Sequence, residues 1–414
     1  MRSCATALAA AMLVMAAGAL ASCGMWEPAA VPAPWANRSD HAQLTTETGS
    51  VVILGGGDYA SSWTVYNDVW SSSDLGSTWT PVTMAAPWAA RGYLTANAVQ
   101  HQGAERFVVI AGGHCIGEFV TSFCHAFEWF ADVWVSDDGG ATWQETVANK
   151  TSPFAARGGH ATAVVDDSLL FFGGVNGIAA MNDAWRSDDG GVTWTMVRAN
   201  GTSNGPSSLR GVDALAASSR LLCGLPPLRD AATVDRRGLD RPRCASGASL
   251  GASLLPTFAF HNLVPWRGRL WAVAGASSAS YVNTVWSSGD GGVSWRLDQP
   301  DAPWCDRILP ATVVVPTGPN ATGLLLTGGS PHTGGFAMRD VWSSADGANW
   351  TEVNASAAWP ARGWQMMTTV PARVLPGVAA DVSVVMTGGW SWYFPEQLSW
   401  TYFRDAWRCT VGPR

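Results

Sequence analysis

Arginines at a regular spacing are the residues in this chain best placed to do chemistry. Arg38, Arg91, Arg157, Arg307 and Arg362 each stand three positions after an aromatic residue (Trp35, Trp88, Phe154, Trp304 and Trp359). Arg210, in Ser207-Ser208-Leu209-Arg210-Gly211, fits a sixth slot. A guanidinium fork suits carboxylate, sulfate or phosphate, so six of them around one opening could capture an anion. Like charges repel, and the compensating groups would be Asp68, Asp132, Asp183, Asp340 and Asp405. Each of these opens an Asp-Val/Ala-Trp string, and Thr284 takes the place in the remaining copy. The arginines therefore read either as paired scaffold or as a ligand ring. Aromatic residues in the loops, among them Trp63, Trp129, Trp392 and Tyr393, could stack on sugar rings beside the arginines, or could simply pack the loops together.

Other constellations are weaker. Ser-x-Asp-x-Gly-x-Thr-Trp recurs at 72–79, 136–143 and 187–194, with Ser for Thr at 288–295 and one residue fewer at 344–350. Its aspartates, Asp74, Asp138, Asp189, Asp290 and Asp346, read as a turn device rather than as catalysts, because Ser and Asp side chains bond nearby amides. His114-Cys115 and Cys124-His125 could be taken for metal ligands, but their spacing reads better as a disulfide. No Ser-His-Asp order or phosphate loop is apparent, and no metal or cofactor is expected.

The elements that must position these residues follow from repetition. The chain has 414 residues, 24 Trp, 45 Gly and 23 Pro, and only 14% of it is charged, a composition of short strands and tight turns rather than charged helices. A net charge of −7 disfavours nucleic acid. Each unit has an arginine, an apolar run ending in Gly-Gly (51–56 is the first, and the fourth unit has the weaker 271–275), the Asp-Trp string or its Thr284 variant, and a later Trp. Most periods run about 50–65 residues, the range of four-stranded propeller blades. Six units predict an all-β, six-bladed propeller. Trp26-Glu27-Pro28 mirrors Trp79-Thr80-Pro81, so the N-terminal strand is expected to complete the last blade. The fourth blade carries about 44 extra residues, roughly 217–256 (97 from Arg210 to Arg307 against 53 from Arg38 to Arg91).

The arginine, Gly-Gly and Trp pattern resembles Kelch repeats, and the Ser-x-Asp hairpin resembles the Asp-box (BNR repeat) of sialidases. Residues 24–414 would form the propeller. Some Kelch domains that bind acidic peptides use arginines at this kind of position, so the resemblance implies an acidic glycan or acidic peptide as partner. The alternative is a secreted carbohydrate-active enzyme, a sialidase-like hydrolase or a galactose-oxidase-like oxidase.

Residues 1–22 read as a secretory signal peptide, which predicts a secreted monomer without a transmembrane segment. Six Asn-x-Ser/Thr sequons point to a glycoprotein. Leu20-Ala21-Ser22-Cys23 also resembles a bacterial lipoprotein box, which would anchor the chain at Cys23 instead. Spacing suggests disulfides Cys115–Cys124 and Cys223–Cys244. Aligned on the first blade, Cys23 and Cys409 fall near positions 76 and 72, where a bridge would lock the ring; Cys305 is then left over.

Overall fold

Val51–Leu54 shows why these segments become strands. All four residues are buried, and the run ends where Gly55 and Gly56 turn the chain at φ of 62° and 88°. The run does not alternate with polar residues because both of its faces are covered by neighbouring blades. In the computed structural model, residue 23 and residues 25–59, 64–115, 119–120, 123–124, 127–176, 181–199, 261–276, 281–318, 321–331, 337–371, 382–393 and 399–411 are described. They contain strands and no helix, and so none long and apolar enough to cross a membrane.

Six antiparallel four-stranded sheets form the blades. The first runs through Ala42–Thr45, Val51–Leu54, Val69–Ser72 and Thr80–Thr83, strands a to d from the axis outward. The other inner strands are Thr95–His101, Ala161–Val165, Asn262–Trp266, Ala311–Gly318 and Met366–Val370. Each inner strand neighbours the next, and the sixth neighbours the first, so the ring closes. The sixth blade takes its outer strand, Glu27–Ala30, from the N-terminus, paired with Ala406–Val411. Closure leaves no open sheet edge between first and last blades.

The blades pack through aromatic pairs. Trp35 meets Trp79 edge-on at 6.0 Å, Trp88 meets Trp143 at 6.1 Å, and Trp304 meets Trp350 at 4.4 Å. Trp359 meets Trp26 at 6.2 Å, so Trp26 does in the sixth blade what Trp79 does in the first. Edge-to-face geometry suits the ring quadrupoles, and these pairs fill the core between blades.

The Ser-x-Asp hairpins join strands c and d on the face opposite the arginines. In the first, Gly76 N donates to Ser72 Oγ at 2.9 Å, Thr78 N and Oγ1 donate to Asp74, and Trp79 Nε1 donates to Gly76 O. The turn uses every polar group of the motif. Its glycine approaches the preceding blade: a Cβ on Gly191 would lie 2.8 Å from Val108.

The Cys23–Cys409 disulfide is present, with Cα atoms 5.5 Å apart. Cys305 is also disulfide-bonded and so is not left over as the sequence suggested. Cys223, Cys244 and the 217–256 insertion lie outside the described residues, as do the side chains of Cys115 and Cys124.

Candidate functional site

The arginines sit where strand a begins, on the face that also holds the Gly-Gly turns, but they do not line an opening. Arg38, Arg91, Arg157, Arg307 and Arg362 are 0–1% exposed. Arg38 Nη1 donates to Asp68 Oδ1 at 2.7 Å and Nη2 to Asp68 Oδ2 at 2.8 Å. Nη1 also donates to Gly55 O and Nε to Ala36 O. Arg91–Asp132, Arg157–Asp183, Arg307–Asp340 and Arg362–Asp405 repeat this pattern. The guanidinium planes are covered too: Arg38 lies over Tyr66 at 4.6 Å, Arg91 over Phe130 at 4.0 Å and Arg362 over Phe403 at 4.1 Å. With their forks held by aspartates and their side chains buried, these five arginines present no free guanidinium to a ligand. The expected ligand ring at Arg38, Arg91, Arg157, Arg307 and Arg362 is corrected to buried scaffold.

The same residues staple neighbouring blades. Gly56 N donates to Arg91 O, Gly112 N to Arg157 O, Gly329 N to Arg362 O, and Gly389 N to Arg38 O, at 2.8–3.0 Å. Each arginine thus ties its own blade through its side chain and the preceding blade through its carbonyl.

The fourth blade departs from the pattern. Arg210 lies outside the described residues. Asn262–Trp266 pairs with its neighbour as Ala161–Val165 does, and His261 precedes the strand as His160 does. Thr284 replaces the aspartate, and its hydroxyl takes the Trp286 indole at 3.1 Å.

What reaches the mouth is the residue two places after each arginine. Asp40, Tyr93, Gly159, Leu309 and Trp364 share this position, and all five have φ of 55–62°. Glycine tolerates that conformation; bulky L residues hold it at a cost. Backbone bonds link these positions from blade to blade, with Tyr93 N donating to Asp40 O and Gly159 N to Tyr93 O. The aromatic side chains converge. Tyr93 of the second blade and Trp364 of the sixth meet at 6.2 Å, spanning the first blade. Tyr59 lies 6.0 Å from Tyr93 and 6.2 Å from Tyr402. Trp364 packs on Trp390 at 5.0 Å, and Trp129 on Tyr93 at 5.9 Å.

Asp40 lies within this cluster. It is 6% exposed, and Ser39 Oγ donates to Asp40 Oδ2 at 2.7 Å. Burial raises its pKa to about 7, partly offset by the Ser39 hydrogen bond. The Asp40 charge, added to burial, helps push Tyr59, Tyr93 and Tyr402 well above the usual phenol range. Behind the rim, His41 and His160 are buried and lowered to about 3, first by desolvation and then by the neighbouring arginines. Their Nε2 atoms meet Thr387 Oγ1 and Thr95 Oγ1 at 2.8 Å.

Of the expected aromatic site residues, Trp129 joins the rim and is half-buried. Trp63 and the side chains of Trp392 and Tyr393 lie outside the described residues. Asp40, Tyr93 and Trp364 were not singled out from sequence. Their shared signal is a fixed distance from the arginine, and their differing residue types hide it. No group of three or more His, Cys, Asp or Glu suited to a metal occurs among the described residues.

Residues 23–223 match the family model for the KLHDC2/KLHL20/DRC7 Kelch-repeats domain. The match covers the closing strand and the first three blades, and the remaining blades repeat their hydrogen bonding. No curated protein matches the chain.

Proposed function

We propose that this Kelch-repeat propeller is an interaction module that holds a protein partner on the aromatic rim of its arginine face. The observation that carries this is the Tyr93–Trp364 contact across the first blade. Both residues hold a left-handed backbone, where the equivalent position of the third blade uses Gly159. Strain of this kind, of order 1–3 kcal/mol per residue, persists where the surrounding structure imposes it and clusters at functional sites. Half-buried Tyr and Trp rings supply large contact area at small entropic cost, and they are enriched in interfaces.

An acidic glycan or acidic peptide, the partner expected from the sequence, has lost the five described arginines as its carriers and becomes one arm of the test. The two disulfide-bonded cysteine sites support work in an oxidising compartment such as the extracellular space. The test is a peptide and glycan array probed with the folded chain, with Tyr93→Ala/Trp364→Ala, and with Val192→Asp on the opposite face. Binding lost in the rim variant and kept in Val192→Asp supports the reading. Binding lost only in Val192→Asp overturns it, as does binding unchanged in the rim variant.

A further inference from the structure

The rim combines π faces with a buried carboxylate that has no counter-cation. Among the described residues, Asp40 makes no ion pair and accepts only from Ser39. The arginines that open the first and second blades are committed: Arg38 to Asp68 and Arg91 to Asp132. His41 is uncharged near neutral pH. Tyr93 N donates to Asp40 O, and a Cβ added at Gly92 would meet both the Tyr59 hydroxyl and Asp40 Cβ, so Asp40 lies beside these tyrosines. Asp58, also buried, adds a second carboxylate beside Tyr402. Aromatic faces attract cations through their quadrupoles, and a carboxylate behind them adds a charge of the same preference.

From this juxtaposition we infer that the mouth captures an organic cation, the lysine ammonium or arginine guanidinium of a bound protein. This rests on the rim being the interaction surface, and it names the group the rim selects. The charge it calls for is opposite to that of an acidic ligand. A cation seated against the ring faces of Tyr93, Tyr402 and Trp364 would neutralise the field of Asp40. An anion would meet that field while the five scaffold arginines stay committed to their aspartates. Asp40 itself holds φ of 55° at a position other blades fill with larger residues or Gly159, and Asp tolerates that conformation through its short polar side chain.

The test uses the full chain with its disulfides intact and two probe pairs that differ only in charge. One is a short Gly-flanked peptide carrying arginine, against the same peptide with citrulline. The other is the lysine peptide against its acetylated twin. Affinities are read by calorimetry or by ligand-observed NMR at low and moderate salt. At least one cationic probe should bind about tenfold or more tightly than its neutral twin. Asp40→Asn, which keeps the shape and the tolerance for a left-handed backbone, should bring that ratio close to one. Equal affinity within both pairs overturns the inference, as does a charge preference that survives Asp40→Asn. Absence of binding by both cationic probes overturns it as well. Array binding that depends on the rim but shows no preference for cations also overturns it, while leaving the rim standing as the interaction surface.

Discussion

Cys23 and Cys409 occupy the places that Gly76 and Ser72 hold in the first blade, and a disulfide stands where those two make a hydrogen bond. The registers coincide: Trp70 pairs with Pro81 and Ser71 with Thr80, as Trp407 pairs with Pro28 and Arg408 with Glu27. In the first blade, Gly76 N donates to Ser72 Oγ at 2.9 Å and shapes the hairpin between strands c and d. The sixth blade has no such hairpin, because its two outer strands come from opposite ends of the chain. The covalent bond joins residues 386 apart and restores the connection.

Cys409→Ser should therefore weaken ring closure and open the seam between the two terminal strands first. A bridge across so long a loop constrains the unfolded chain strongly, and its loss should cost about 2–5 kcal/mol. Denaturant unfolding with and without reductant checks this. Hydrogen exchange should speed up first in Glu27–Ala30 and Ala406–Val411. Uniform loosening of all six blades would count against the zipper role assigned to this strand pair.

Arg91→Ala should destabilise the fold by about 3–5 kcal/mol, because Asp132 would be left buried without its partner. The fourth blade suggests the remedy, since neutral Thr284 stands at its aspartate position. Arg91→Met/Asp132→Thr should recover a large part of the loss. A urea double-mutant cycle measures the coupling. Additive losses would mean that the pair is not a unit.

Stability should fall on acidification from about pH 6.5. His41 and His160 are lowered to about 3 and His261 to about 4, chiefly by burial. The unfolded chain binds protons at these residues below about pH 6.5 while the fold does not, so stability drops through that window. Asp40 works in the other direction. With its folded pKa near 7, it favours the fold fully below its unfolded value of 3.8 and loses that contribution as pH rises through about 7. Asp40→Asn should therefore steepen the decline between pH 7 and pH 4. Thermal melts of both proteins across that range check the sign. Below about pH 4, the hairpin aspartates add a further loss: burial is the largest single effect and raises them, but their several hydrogen bonds together outweigh it and lower Asp74, Asp138, Asp189, Asp290 and Asp346.

Gly158→Ala should disturb the rim without cutting a blade. A Cβ there would lie 2.2 Å from the Trp129 ring, so the indole must move. The Tyr93–Trp129 contact at 5.9 Å is then lost while the Arg157–Asp183 pair stays. Near-UV circular dichroism should change, array binding should weaken, and the unfolding midpoint should shift only modestly. Full binding with an altered spectrum would place Trp129 outside the contact surface.

Much of the architecture was legible because the chain repeats itself. Comparing 26–28 with 79–81 was enough to assign the closing strand, and that alignment brought Cys23 and Cys409 together. The second strand of most blades followed from the glycine pairs, since a buried apolar run that ends in Gly-Gly marks where it turns. Repetition could not tell whether an arginine beside an aspartate faces solvent or core. That depended on the tertiary structure, where Tyr66, Phe130 and Phe403 cover guanidinium planes whose forks are already filled. Nor could repetition assemble the mouth. Asp40, Tyr93 and Trp364 differ in type and are far apart in sequence. Only ring closure sets the sixth blade beside the first and lets two strained aromatic residues meet over a buried carboxylate.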